Sequence, residues 1–297
     1  LIPPIDSAHR YPIFAQAILM TSADPSIIQS AIEVDQRGST IRGTAYRPAA
    51  SRRCPAVLLL HGFTGMRIEA GFMFVRLARA LAKRGVTAIT FDCLNSGESD
   101  GSFDHMLVTE ELDDTIRMTH WMQGQPFVDR TRLGVIGFSL GGLLAACASA
   151  KVDCFKAMAL LAPTTVSNLM RHANPANDQP ASTDPGAHTN ASQFAPPSTP
   201  IEIGPFFLHP DFFNDIRQLN PVADVIAHPR PTLVVQGSAD KAVPPAVSQA
   251  YIDAMTRVGM ACEVERIEGA GHTFARPAYM STMIDRTAAF MANHLSA

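Results

Sequence analysis

Gly137-Phe138-Ser139-Leu140-Gly141 follows the G-x-S-x-G pattern. It sits between the apolar run Leu133-Gly134-Val135-Ile136 and the stretch Leu140-Gly141-Gly142-Leu143-Leu144-Ala145-Ala146. A strand that turns sharply into a helix exposes a serine hydroxyl at the turn, and the helix N-terminus then faces developing negative charge. The pattern also fits Gly97-Glu98-Ser99-Asp100-Gly101, but Ser99 runs on into Asp100-Gly101-Ser102, a loop composition. Ser139 as a plain helix cap is the simpler alternative. A nucleophilic serine needs a general base, and the base needs an orienting acid. On such elbows the partners follow in the order Ser, Asp or Glu, His. Asp240 comes after the apolar run Thr232 to Gln236, and His272 after Cys262 to Ile267. The chain holds ten histidines, so His272 is selected by order and position, not by type. Asp240 as a turn residue is its alternative. Asp211, Asp215 and Asp224 are weaker acid candidates because they precede the strand.

Acyl transfer also needs two backbone donors aimed at the oxyanion of the transition state. Leu140, next to the nucleophile, supplies one. The turn His61-Gly62-Phe63-Thr64-Gly65 supplies the other, with Phe63 as donor. A polar strand end with a turn glycine describes the same residues and does not compete, since the turn is what aims the amide.

These groups must be held by elements, and the sequence alternates two kinds. Ser30 to Asp35 and Thr40 to Tyr46 flank Gln36-Arg37-Gly38, which predicts a hairpin. Ala56 to Leu60 is an unbroken apolar run, suited to a strand covered on both faces. Phe74, Leu77, Ala78 and Leu81 recur at helical spacing, with Lys83 and Arg84 in the last turn and Gly85 as stop. Strands then follow at Val86–Phe91, Leu133–Phe138, Phe155–Leu161, Thr232–Gln236 and Cys262–Ile267. Helices fall at Glu110–Met122, Leu140–Ala150, about Val247–Val258 and Tyr279–His294. The alternation predicts an α/β fold, a doubly wound, mostly parallel sheet with antiparallel strands at one edge.

One interval breaks the rhythm, at about 164–225. Between Arg171 and Pro200 it carries six prolines, Pro175, Pro180, Pro185, Pro196, Pro197 and Pro200, among polar residues. Prolines fix φ and remove donors, which argues against a core element. The second half gathers Phe206, Phe207, Leu208, Phe212 and Phe213, then helix-like Asp215 to Leu219. A long insertion of this kind in a compact domain is usually functional or disordered. The interval is expected to form a lid, with Phe206, Phe207, Phe212 and Phe213, together with Phe138, as candidate substrate contacts or core beneath it.

The chain of 297 residues is 46% hydrophobic, 17% charged and carries a formal charge of −3, which excludes a disordered chain and gives no basic surplus for nucleic acid. No apolar run approaches a membrane span. Five scattered cysteines without C-x-x-C indicate neither a zinc knuckle nor a redox pair, though one disulfide stays open. His61, His120, His188 and His209 lack partners at ligand spacing, and no H-E-x-x-H occurs, so no metal or other cofactor is expected. Ala15-Gln16-Ala17 resembles a cleavage site, but no basic region precedes it. An N-terminal extension, residues 1–31, packing on one domain, residues 32–297, is the expectation. Cytoplasmic location is expected, with periplasm or secretion open, and a homo-oligomer is equally open.

On these residues the chain resembles the α/β-hydrolase superfamily and, within it, the small bacterial cinnamoyl/feruloyl esterases. The resemblance covers about Ile32 to Leu295. It rests on His61 to Gly65, Phe91-Asp92 through Gly97 to Phe103, the Ser139 elbow, Leu161-Ala162-Pro163, Gly237 to Pro244 and Gly269 to His272. It implies a triad of Ser139, Asp240 and His272, oxyanion amides at Phe63 and Leu140, and a lid insertion after the sixth core strand holding an aromatic acyl group. Three features depart from that pattern. Phe138 and Leu140 stand where His and Gln are usual, Asn95-Ser96 replaces a Gly-His pair, and the lid is longer and richer in proline. The expected activity is hydrolysis of small, apolar or aromatic esters through an acyl-enzyme. A peptidase or amidase of the same fold, a haloperoxidase-like side activity and a non-catalytic small-molecule-binding protein are the alternatives. Dehalogenase and dienelactone-hydrolase chemistry would call for Asp or Cys at position 139.

Overall fold

The computed structural model describes residues 24–51, 53–173 and 197–296. Most of the proline-rich stretch and most of the N-terminal extension, including Ala15-Gln16-Ala17, therefore lie outside the described residues. In chain order, β1 (Ile27–Gln36) and β2 (Ser39–Pro48) come first. β3 (Cys54–Leu60), α1 (Met73–Lys83), β4 (Thr87–Phe91), α2 (Val108–Gln123), β5 (Val128–Phe138), α3 (Leu140–Lys151) and β6 (Phe155–Leu161) follow. Next come α4 (Val166–Ala173), a short hairpin of β7 (Ile201–Ile203) and β8 (Phe206–Leu208), α5 (Pro210–Asp215) and α6 (Pro221–Asp224). β9 (Thr232–Gly237), α7 (Pro245–Arg257), β10 (Cys262–Ile267) and α8 (Pro277–Leu295) complete it.

The main sheet has the order β1-β2-β4-β3-β5-β6-β9-β10. β1, β2 and β4 pair antiparallel, and from β4 to β10 every pairing is parallel. The expected doubly wound α/β sheet is present. β3 is buried at every position. Its side chains alternate between two cores: Ala56, Leu58 and Leu60 pack with α2 and α3, and Val57 and Leu59 with α1 and α8. A strand with helices on both faces has no polar face, so its sequence reads as one apolar run.

The β1–β2 turn has positive φ at both Arg37 (56°) and Gly38 (79°), as a two-residue hairpin of matching twist requires. Arg37 Nη2 donates to Asp114 Oδ1 at 3.2 Å, and the Leu94 N–H donates to Asp114 Oδ2 at 2.8 Å. One carboxylate on α2 thus ties the hairpin to the loop after β4. The hairpin also starts earlier than expected: Ile27 already pairs with Pro48, so the sheet begins before Ile32.

The helix expected over Asp215 to Leu219 is instead α5, ending at Asp215, and a 3-10 turn at Ile216–Gln218. Pro221 opens α6, and the residue before a proline is driven to extended backbone; Leu219 and Asn220 have left the helical region. All five cysteines are free thiols. Among the described residues no helix is long and apolar enough to cross a membrane.

Candidate active site

Ser139 lies between the end of β5 and the start of α3 with φ 55° and ψ −113°, a conformation that costs a non-glycine residue strain. The flanking glycines make the turn feasible. A Cβ on Gly137 would lie 2.0 Å from the Gly141 carbonyl oxygen, and one on Gly141 would lie 2.0 Å from that of Leu60. Backbone bonds pin the turn: Ser139 N–H donates to Leu161 O (2.9 Å), and Ser139 O accepts from Gly142 (3.0 Å) and Thr164 (3.1 Å).

The structure brings all three predicted side chains together. His272 Nε2 is 3.0 Å from Ser139 Oγ, and His272 Nδ1 is 2.7 Å from Asp240 Oδ2. A carboxylate only accepts, so Nδ1 carries the hydrogen and Nε2 is left to accept from the serine hydroxyl. Asp240 is itself held. Its Oδ1 accepts from the amides of Ala242 (3.0 Å) and Val243 (2.9 Å), and Oδ2 also accepts from Gln236 Nε2 (3.3 Å). The Asp240 and His272 loops are laced together: Ser238 and Ala239 donate to Ile267 and Ala270 carbonyls, and Gly269 N–H to Ser238 Oγ. Such closeness depends on Gly237, where a Cβ would meet Ala270 O at 2.3 Å. The row can move a proton from Ser139 to His272 while Asp240 fixes the ring.

Ser99, the competing serine, is a bracket: its Oγ donates to Asp92 O (2.6 Å) and accepts from the Arg42 N–H (2.8 Å). Of the weaker acids, Asp215 accepts from the Thr109 N–H (2.9 Å) and its hydroxyl, Asp211 lies near His209, and Asp224 ends α6.

The turn at 62–65 is closed by Gly65 N–H to Gly62 O (3.0 Å), leaving the Phe63 amide outside that bond. Gly62 packs on Ser139: a Cβ there would sit 3.3 Å from Ser139 Cβ. Leu140 is the first residue of α3, so its amide has no intrahelical acceptor.

Ser139 and His272 open onto a cavity of about 540 Å³, in the range of small-molecule sites. Phe63, Met66, Ile68, Leu169, Ile203 and Val243 give it an apolar lining, with Glu69, Asn168 and three threonines as polar points. Phe138 lines it and lies 4.8 Å, ring to ring, from His272. The other predicted phenylalanines do not line it. Phe212 and Phe213 are core, at 0% and 1% exposure, with Phe212 against Phe63 (5.5 Å). Phe206 stacks on Phe103 at 4.4 Å, and Phe207 is exposed. Their spacing signalled burial, and buried aromatics occur beneath a pocket as readily as in its wall.

Sequence reasoning missed the polar points. Glu69 Oε1 accepts from the Gly62 N–H at 2.6 Å, and burial pushes its carboxyl above the ordinary range, against the pull of that amide. Asn168 Nδ2 donates to Thr164 Oγ1 (3.0 Å) and Ala242 O (3.1 Å), tying α4 to the Asp240 loop. Neither residue stands in a periodic pattern.

His61, Cys93 and Glu111 are buried and bring ligand-type atoms within 4.8 Å of one another. Both His61 nitrogens are engaged: Nδ1 bonds Gly62 O (2.9 Å), and Nε2 accepts from the Cys93 N–H (3.1 Å). The imidazole has no free lone pair to give a metal.

A family model described as "Alpha/beta hydrolase family" matches residues 57–290. An uncharacterized 31.7 kDa protein from the traX-finO intergenic region of Escherichia coli is 33% identical over 110 residues. That match spans 36% of this chain and 37% of the relative, about a third of the relative's length. Among solved structures, Est1E from Butyrivibrio proteoclasticus with ferulic acid bound superposes with a TM-score of 0.75 at 21% identity, over 90% of this chain and 100% of that one. The Pyrococcus furiosus esterase Pf2001 gives 0.66 at 19% identity, over 91% and 94%. At these identities the likeness is one of fold.

Proposed function

The chain belongs to the alpha/beta hydrolase family, and from that membership we propose that it is a serine carboxylic-ester hydrolase working through an acyl-enzyme. One observation carries the reading: the hydrogen-bonded row Ser139, His272, Asp240 at the mouth of an apolar cavity. Ser139 Oγ attacks the ester carbonyl as His272 Nε2 takes its proton. The imidazolium is stabilised by Asp240, and the oxyanion is met by the amides of Phe63 and Leu140. His272 then returns the proton to the departing alcohol. Water, deprotonated by the same imidazole, releases the acid.

The apolar wall favours an apolar or aromatic acyl group, and the fold shared with Est1E, which holds ferulic acid, makes hydroxycinnamate esters the first aromatic class to test. The segment between β6 and β9 acts as the lid in this reading. It contributes Thr164, Asn168, Leu169 and Ile203 to the cavity.

The test is hydrolysis of p-nitrophenyl acetate, then of methyl esters from acetate to octanoate with ferulate, p-coumarate and caffeate. Ser139→Ala is expected to lose about 10⁴-fold or more in kcat with an unchanged melting curve. Retained activity in that variant removes the serine mechanism. Preference for short aliphatic esters, with cinnamates untouched, removes the aromatic class and keeps the esterase.

A further inference from the structure

Glu69 occupies backbone space that other side chains avoid. Its φ of 56° and ψ of 167° fall in a region populated essentially by glycine, so a glycine would serve the turn at less strain. The chain places a carboxylate there instead. What that carboxylate touches is narrow: Oε1 accepts from Gly62 N–H at 2.6 Å, and Oε2 from its neighbour Ala70 N–H at 3.3 Å. Among the described residues no lysine or arginine pairs with it. Gly65 makes room for the contact, since a Cβ there would sit 2.7 Å from Glu69 Oε1 and 2.9 Å from Gly62 O. The carboxyl lines the same cavity as Ser139 and His272.

We propose that Glu69 is a positioning residue for the oxyanion hole, its carboxylate clamping the Gly62 N–H so that the next amide, Phe63, is presented to the reacting carbonyl. The inference rests on the serine-esterase reading. The Gly62 carbonyl, in the same peptide unit as the Phe63 N–H, is held by Gly65 N–H (3.0 Å) and His61 Nδ1 (2.9 Å), and the Glu69 carboxylate fixes the peptide on the other side of Gly62, a residue with no Cβ to limit its backbone. A preorganised donor accelerates the reaction only if its orientation is fixed before the charge appears. The strain at Glu69 is repaid at Phe63.

Glu69→Gly, Glu69→Gln and Ser139→Ala separate the possibilities. Glycine removes the clamp and relieves the backbone, so the variant is expected to melt within about 3 °C of the parent. Its kcat for p-nitrophenyl acetate falls about 100-fold with KM within about threefold. Affinity for phenylboronic acid, which adds to the serine and uses the same amides, falls by a similar factor. Glutamine keeps an acceptor oxygen and recovers kcat to within about tenfold of the parent. A folded Glu69→Gly with kcat and boronate affinity within about threefold of the parent, where Ser139→Ala is inactive, overturns the clamp and leaves the esterase standing. An active Ser139→Ala overturns the esterase and the clamp with it. If Glu69→Gly does not fold, amide hydrogen exchange in the parent decides: a protected Gly62 amide supports the clamp, and exchange at the rate of a free loop amide overturns it.

Discussion

Ser139 is held at positive φ in a turn that Gly137 and Gly141, two residues to either side, keep free of clashing side chains, and this is where single atoms matter most. Gly141→Ala would drive a methyl to 2.0 Å from Leu60 O, backbone that cannot yield without shifting β3 against α3. The expected loss is about 3 kcal/mol, read as a fall in melting temperature, with activity lost in proportion to the unfolded fraction. An unchanged melting curve would mean the elbow is looser than its geometry. The same crowding explains what was legible at this scale. Ser139, Asp240 and His272 could be read from the chain because each follows a strand, with Gly137 and Gly141 about Ser139 and Gly237 before Asp240 demanded by close backbone approach. Glu69 could not be read. A glutamate in a turn has no period, and its strained φ leaves no mark on residue type. Of the predicted phenylalanines Phe138 lines the cavity, Phe212 and Phe213 are core, the alternative the sequence left open, and Phe207 is exposed, since clustering does not tell which side of the wall a ring occupies.

Helix α2 shows how an element can be tuned by one buried group. Burial pushes the Asp114 carboxyl from 3.8 up to about 6, against the opposing pull of the Leu94 amide and Arg37. Below the unfolded value both states hold the proton and the group is neutral in its effect. Between about 4 and 6 the unfolded chain releases its proton first, so stability falls as pH rises. Above 6 the full penalty, on the order of 3 kcal/mol, is in place. Asp114→Asn cannot titrate, so the melting temperature of the variant relative to the parent should climb from pH 4 to pH 6 and then level off. A constant difference across that range would refute the assignment. Asparagine's mismatch with Arg37 adds a cost that pH does not change. The main strands and helices were legible because burial on both faces imposes long apolar runs. α4 and the β7–β8 hairpin were not, being too short to carry a pattern that competes with their proline-rich neighbours.

For the whole molecule, the segment between β6 and β9 joins the sheet to the cavity. Its hairpin rests on the loop after β4 through the Phe206–Phe103 stack at 4.4 Å and the Phe207 amide bond to Asp104 at 3.4 Å, and it presents Ile203 to the cavity. Phe206→Ala, which unseats the hairpin and with it Ile203 from the wall, should raise KM for octanoate and cinnamate esters about tenfold and leave acetate unchanged, as loss of one apolar wall contact implies. Equal effects on all esters would detach the hairpin from acyl selection. The parallel order of the sheet has a further consequence, one of timing. Ser139 and His272 are 133 residues apart in the chain, on loops that meet only after β9 and β10 have docked. On the ribosome the serine emerges roughly ten seconds or more before its base. Under the proposed serine mechanism, the growing chain carries an unarmed hydroxyl until the last crossover closes, and its youngest form is spared any action on an ester.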